Sequence, residues 1–213
     1  MIKKDEIFVP SELYNEKILE KIAYVKRMNS VDIFVKEDGD RRNFVFQLPK
    51  SQILNLRQFQ DSYSTEIVIN SDTVINFLNS FDSKNDKYVN DNKLPEYDKI
   101  LKIRDNIYVI RLKIKPHEIS IFDKSGKSIN FNTFAEMENY EIVPIIKCIG
   151  LFLNQKTYCT FSFLAMKVYP TSIQSSSIQL HGFQQKITAN CFVEDDADST
   201  DYSMVQSLDK SNT

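Results

Sequence analysis

From Tyr108 to Lys115 the chain alternates without a break. Tyr108, Ile110, Leu112 and Ile114 fall on one side, and Val109, Arg111, Lys113 and Lys115 on the other. Side chains on a strand point to opposite faces with a period of two. The pattern therefore predicts a strand with one buried face and one face bearing three cations in a row. Similar alternation runs from Val31 to Lys36 and from Asn43 to Leu48, on either side of the turn-rich "EDGDRR", which predicts a hairpin that ends at Pro49. "STEIVIN" (64–70) is a further short strand. "EISIFDKSGKSINF" is a hairpin around Ser125 and Gly126, and "IVPIIKCIGLFL" and "YCTFSFLAMKVYP" are two long strands joined through "NQKT".

The helical signal is weaker. Ser11 is placed to cap a helix over about 11–28, along which Leu13, Ile18, Ile22 and Val25 recur at near-helical spacing. "SDTVINFLNSFD" predicts a second helix, capped by Ser71 or Asp72, with Val74, Phe77, Leu78 and Phe81 on one side. "FAEMENYE" is a helical turn. The polar stretch 82–98 reads as a long exposed loop. About seven or eight strands with a few short helices predict a mainly β fold, an OB-like barrel of about five strands with additional strands. The expected organisation is an N-terminal helical segment over 1–30, a barrel domain over 31–170, and a Ser-rich, acidic, disordered tail over 171–213.

Charge changes this picture. The formal net charge of the 213 residues is −2. Residues 194–213 carry Glu194, Asp195, Asp196, Asp198, Asp201 and Asp209 against Lys210 alone, a net −5, so residues 1–193 stand at +3. A basic body with an acidic tail is an object suited to anionic partners. The three cysteines, Cys148, Cys159 and Cys191, form no Cys-x-x-Cys pair, and the odd count argues against a disulfide framework and for a reducing compartment. The first residues have no apolar signal region, and the longest apolar run holds Pro144 and Lys147. The expectation is a cytoplasmic protein with no membrane partner.

Catalytic constellations are scarce. His117 and His181 lie in no zinc-like spacing, no phosphate-binding loop or nucleophile elbow occurs, and Asp38 and Asp40 flank Gly39 as a turn requires. No catalytic residue, metal or cofactor is assigned, and the chain is read as a non-enzyme.

What the chain does carry is cations interleaved with aromatics on predicted strands. Arg42, Phe44 and Phe46 share one face, and Arg111, Lys113 and Lys115 another. Phe161, Phe163, Lys167 and Tyr169 share a third, with Lys147 on the strand before and Lys99, Lys102 and Arg104 just upstream of the opening strand. Binding of single-stranded nucleic acid without sequence preference needs this mixture, because cations track the phosphates and flat rings stack on bases. The competing reading of each residue is plain: phenylalanine on an alternating strand is usually core, and exposed lysine usually serves solvation.

Four pieces, "FVFQLPKSQILNL" (44–56), "STEIVIN" (64–70), "LKIRDNIYVIRLKIKPHEISIFDKSGKSI" (101–129) and "IVPIIKCIGLFLNQKTYCTFSFLAMKV" (142–168), resemble the OB-fold single-stranded DNA-binding proteins of nucleocytoplasmic large DNA viruses. Related proteins are expected on cytoplasmic linear plasmids of yeasts. The resemblance covers about 40–170 and rests on the order of its elements: an early strand ending in Gln-Leu-Pro, a basic strand leading to a Phe-Asp-Lys turn, and a final hairpin after Val-Pro-Ile-Ile-Lys. Many viral members carry a Trp after the hairpin glycine. Here Leu151 and Phe152 stand there, and the resemblance implies that Phe152 takes that role or that the site lies elsewhere.

The function expected from these features is coating of single-stranded DNA during replication, recombination or repair of a cytoplasmic viral or plasmid genome. The acidic tail would recruit other replication or recombination proteins. The alternatives are a structural or scaffold protein of a virion or replication complex, and a terminal or transcription-accessory DNA-binding factor. Preference for DNA over RNA and self-association on DNA are left open by the residues.

Overall fold

A computed structural model describes residues 6–9, 14 and 16–171. Most of the acidic tail and part of the N-terminal segment expected to be helical therefore lie outside the described residues. The elements in chain order are β1 (Glu6–Val9), α1 (Glu16–Glu20), β2 (Ile22–Lys26), β3 (Ser30–Glu37), β4 (Asp40–Gln47), β5 (Ser51–Phe59), β6 (Ser62–Ile69), α2 (Asp72–Asp91), β7 (Tyr97–Asp98), β8 (Lys102–Arg104), β9 (Ile107–Ile114), β10 (Ser120–Asp123), β11 (Ser128–Ile129), α3 (Phe131–Ala135), β12 (Tyr140–Leu153) and β13 (Thr157–Pro170).

Five strands close a ring. β5 pairs antiparallel with β6, β6 with β9, β9 parallel with β13, β13 antiparallel with β12, and β12 antiparallel with β5. In chain order this is a barrel whose first, second and third strands are consecutive neighbours, while the fifth lies between third and fourth. α3 precedes the fourth. The fold is thus mainly β, an OB-like barrel with additional strands, as the pattern predicts. β12 is long enough to serve twice. One part closes the barrel against β5, and further along it pairs with β4 and β3, which extend the same sheet together with β1 and β2.

Local chemistry explains the turns. The β3–β4 hairpin closes through Asp38 and Gly39, at φ 51° and 88°. Two successive positive φ values are what a two-residue type I′ turn demands, and Asp-Gly supplies them. Asp105 and Asn106, at φ 49° and 65°, do the same between β8 and β9. At Gly150 (φ 138°) a Cβ would lie 2.4 Å from the Val31 carbonyl oxygen, so only glycine lets β12 cross β3 at this point.

Two expectations need correction, and one strand escapes the pattern altogether. The helix expected over 11–28 is a single short one, α1, and from Ile22 the chain is already strand. The apolar residues there meet β3 in register, Ile22 opposite Val35 and Tyr24 opposite Ile33, and pairing with a hairpin overrides the helical spacing. Of the expected loop over 82–98 only 92–96 is one, because β7 begins at Tyr97 and α2 continues to Asp91. Its buried positions, Val74, Phe77, Leu78, Phe81, Asp82, Asn85 and Val89, keep helical spacing throughout, but two of them are polar. Finally, β5 is a full strand that the apolar pattern does not mark. A register shift between Ile53 and Asn55 breaks its alternation, and Gln60, at φ 51°, holds the positive-φ position where glycine is the usual residue.

The core lies inside the barrel and under α2. Phe77 and Phe81 of α2 pack against Phe44 and Phe46 of β4, and Phe81 and Phe46 meet Phe161 of β13. Behind this core runs a buried polar chain. The Tyr24 hydroxyl donates to Asn85 Oδ1 (2.8 Å), Asn85 Nδ2 donates to the Tyr97 hydroxyl (3.1 Å), and that hydroxyl donates to Asp82 Oδ1 (2.7 Å). Asp82 also accepts the backbone N–H groups of Ile100 (2.9 Å) and Leu101 (3.3 Å). This carboxylate thereby ties the segment leading into β8 to the helix inserted between β6 and β9. Among the described residues, no helix is long and apolar enough to cross a membrane.

Candidate nucleic-acid interface

The pairing of β6 with β9 decides what reaches the outer face of the barrel. Thr65 opposes Leu112 and Ile67 opposes Ile110, and all four are buried inside. Ser64 opposes Lys113 and Glu66 opposes Arg111 on the outside. The predicted alternation of β9 is thus realised, with Arg111 and Lys113 exposed. Over this face opens a groove of about 800 Å³, lined among others by Lys99, Lys102, Arg104, Arg111 and Lys113 and by Phe59, Tyr63 and Tyr158. One wall is the β5–β6 turn, another the start of β13 at the β12–β13 turn, and a third the segment 98–104 that Asp82 anchors.

The electrostatics of the groove centre on Glu66, whose side chain is 7 % exposed. Its Oε1 accepts from Arg104 Nη2 (2.9 Å) and Arg111 Nη2 (3.0 Å), and its Oε2 accepts from Asn55 Nδ2 (3.2 Å). Burial by itself raises the pKa of this carboxyl. The hydrogen bonds from Arg111 and Asn55 and the charges of Arg104 and Arg111 outweigh it, and the net shift is downward. Lys102 pairs with Asp98 at 2.5 Å. Lys99 and Lys113 have no ion-pair partner among the described residues. Five cations against Glu66 and Asp98 leave the lining of the groove net positive.

The rim is aromatic. Phe59, beside the β5–β6 turn, is 61 % exposed. Phe152 and Tyr158 oppose each other near the β12–β13 turn, 39 % and 42 % exposed, with rings 6.1 Å apart and 16° from parallel. Offset parallel rings of this kind present flat apolar faces to solvent.

The predicted site residues divide sharply. Lys102, Arg104, Arg111 and Lys113 line the groove, and Phe152 stacks on a ring that does. Lys147 shares their sheet face without lining the groove, because Lys113, Ser162 and Lys147 stand opposite one another on β9, β13 and β12. Lys115 lies just past the end of β9, bonded to Glu118 at 2.7 Å, and Arg42 pairs with Glu37 at 3.0 Å on the β3–β4 hairpin, away from the groove lining. Phe44, Phe46, Phe161 and Phe163 are fully buried, so the base-stacking role expected of them is corrected to a core role.

Lys167 is also displaced from its expected company. β13 holds one extra residue, Leu164, between the partners of Ile145 and Ile146. That bulge reverses the alternation, so Phe161 and Phe163 point into the main core before it, and Met166 and Val168 after it. Lys167 is turned the other way, buried with its ammonium 5.7 Å from the Tyr169 ring. The pattern of the chain did not single out Phe59, Tyr63, Tyr158, Ile103 or Glu66. Tyr158 stands opposite Phe152 only because Thr157 already belongs to β13, whereas "NQKT" drawn as the loop sets Cys159 there.

No family model matches this chain, and no curated protein does. Among solved structures it is similar to the single-stranded DNA-binding protein from bacteriophage Enc34 in complex with ssDNA. The TM-score is 0.47 at 12 % identity, over 72 % of this chain and 98 % of that one. It is also similar to gp2.5, a single-stranded DNA-binding protein encoded by bacteriophage T7. There the TM-score is 0.43 at 6 % identity, over 67 % of this chain and 99 % of that one. At TM-scores this low, the site rests on its own geometry.

Proposed function

We propose that this chain binds single-stranded DNA through the groove on β6 and β9. The observation that carries the reading is the position and chemistry of that groove. It lies on the face formed by the second and third barrel strands, between the turn joining the first two strands and the turn joining the last two, the surface on which OB-type barrels hold oligonucleotides. Its lining supplies both parts that single-strand binding needs, cations for the phosphates and exposed rings for the bases. Stacking on Phe59 and on the Phe152–Tyr158 pair needs unpaired bases, which duplex DNA does not offer. The biological setting we propose is coating of single strands during replication, recombination or repair of a cytoplasmic viral or plasmid genome. The acidic residues of 194–213 would compete for the groove or recruit basic partners.

The test is fluorescence anisotropy on labelled oligo-dT and on a duplex of equal length, at two salt concentrations, with and without residues 194–213. The expected result is a strong preference for the single strand that weakens steeply with salt, with tighter binding by the shortened chain. Micromolar or weaker binding to oligo-dT at low salt, with no preference over duplex, overturns the proposal.

A further inference from the structure

A carboxylate at the floor of a groove meant for phosphates needs a reason. Glu66 is buried there, opposite Arg111 in the sheet, and a single oxygen of it holds one Nη2 of Arg104 and one of Arg111, at 2.9 and 3.0 Å. The two guanidinium nitrogens therefore lie within about 6 Å of each other, a separation at which like charges repel unless something stands between them. Both arginine side chains remain open to the groove, 46 % and 65 % exposed. Each guanidinium carries five N–H donors in a planar fork, and binding Glu66 uses one of them.

We infer that Glu66 is a positioning residue that sets Arg104 and Arg111 as one two-armed receptor for a backbone phosphodiester. The inference rests on the single-strand reading above. Three strands contribute to the receptor, β6 with the carboxylate, β8 with one arginine and β9 with the other. The ion pairs fix side chains that otherwise lose rotamer freedom when they close on a ligand. Asn55 on the far oxygen holds the carboxylate itself in place at 3.2 Å. The lowered pKa of Glu66 keeps it ionised, and the pair assembled, down through the ordinary carboxylate range.

Positioning and bare electrostatics predict opposite signs. If Glu66 merely repels phosphates, removing its charge tightens binding. If it positions the arginines, removing it weakens binding although the groove becomes more positive. The experiment is anisotropy of the full-length chain on oligo-dT at low salt, for the unaltered protein, E66Q, R104A/R111A and the triple variant, with thermal unfolding alongside. The expected result is about tenfold weaker binding for E66Q, and a change of less than about twofold when E66Q is added to R104A/R111A, because the carboxylate acts only through those two residues. Tighter or unchanged binding by E66Q overturns the inference, as does an equal loss in the two backgrounds. R104K/R111K provides a second arm that keeps both charges and removes the forks at exposed positions. It should also bind about tenfold more weakly, and unchanged affinity overturns the inference even if E66Q fails to fold. Absence of oligo-dT binding by the unaltered protein instead removes the single-strand reading itself, and the inference with it.

Discussion

Glu66 and Asp82 are both buried carboxylates bordering the same segment of chain, one in front of it and one behind. Glu66 faces two guanidiniums that are themselves open to solvent. Asp82 faces only uncharged donors, the Tyr97 hydroxyl and the N–H groups of Ile100 and Leu101. Their acidities follow. Burial pushes the Asp82 carboxyl up, and its three hydrogen bonds and the charge of Lys99 do not reverse that, whereas the cations around Glu66 bring its pKa down despite burial. The difference separates two uses of a buried acid. Glu66 pairs with charges that face the groove, and Asp82 fixes the backbone that carries them.

That contrast can be broken most directly by deletion. Asp82→Ala should destabilise the fold by about 2–4 kcal/mol, since it leaves buried donors without an acceptor. Glu66→Ala should cost less than about 1 kcal/mol, because its half-exposed arginines regain water. Urea unfolding compares the two, and equal losses would erase the distinction. Next in size, K102A/R111A/K113A should lower the slope of log K against log salt by about 2 for oligo-dT, roughly 0.7 for each phosphate contact given up. The same variant should leave the urea midpoint almost unchanged, and an unaltered slope would place the phosphates elsewhere. Tyr158→Ala should then weaken oligo-dT binding by about 1–3 kcal/mol at either salt concentration, the contribution of one stacked base. A loss that disappears at high salt would mean that the ring supports a charge instead of stacking.

The smallest effect is on pH. Asp82 has a raised folded pKa, so between the ordinary carboxylate value near about 4 and that raised value the folded chain holds a proton that the unfolded chain releases. Its contribution is greatest in acid and is lost as pH rises through the raised value. Glu66 has a lowered folded pKa, so its contribution is present above the ordinary carboxylate range and is lost as pH falls through the lowered value. The stability difference between the unaltered protein and D82N, followed across acid and neutral pH, should therefore slope opposite to that for E66Q. Slopes of the same sign would contradict the assignment of the two environments.

The residues legible in advance are those whose local pattern agrees with their tertiary place. The alternation of β9 puts Arg111 and Lys113 outside and Leu112 and Ile114 inside, and the register with β6 leaves that choice intact. The hairpins around Gly39 and Gly126 were equally legible, because positive φ at those glycines is written into the turn. Simple alternation sets Phe161 and Phe163 beside Lys167, but one bulge at Leu164 exchanges the two faces of β13, and no residue type announces it. α2 runs longer than its local pattern suggests, because Asp82 and Asn85, the polar residues of its buried side, look like a loop until their partners across the core are known.

The sequence alone therefore determined the class of fold, the long central strands and the cations of β9, since all of these depend on neighbours two to four residues apart. Tertiary structure decided which rings are core and which form a rim, and that Phe59, Tyr158 and segment 98–104 converge on β9. It also decided that one buried glutamate joins two arginines. Each of those outcomes depends on register between strands far apart in the chain, where a shift of a single residue turns a side chain from one face to the other.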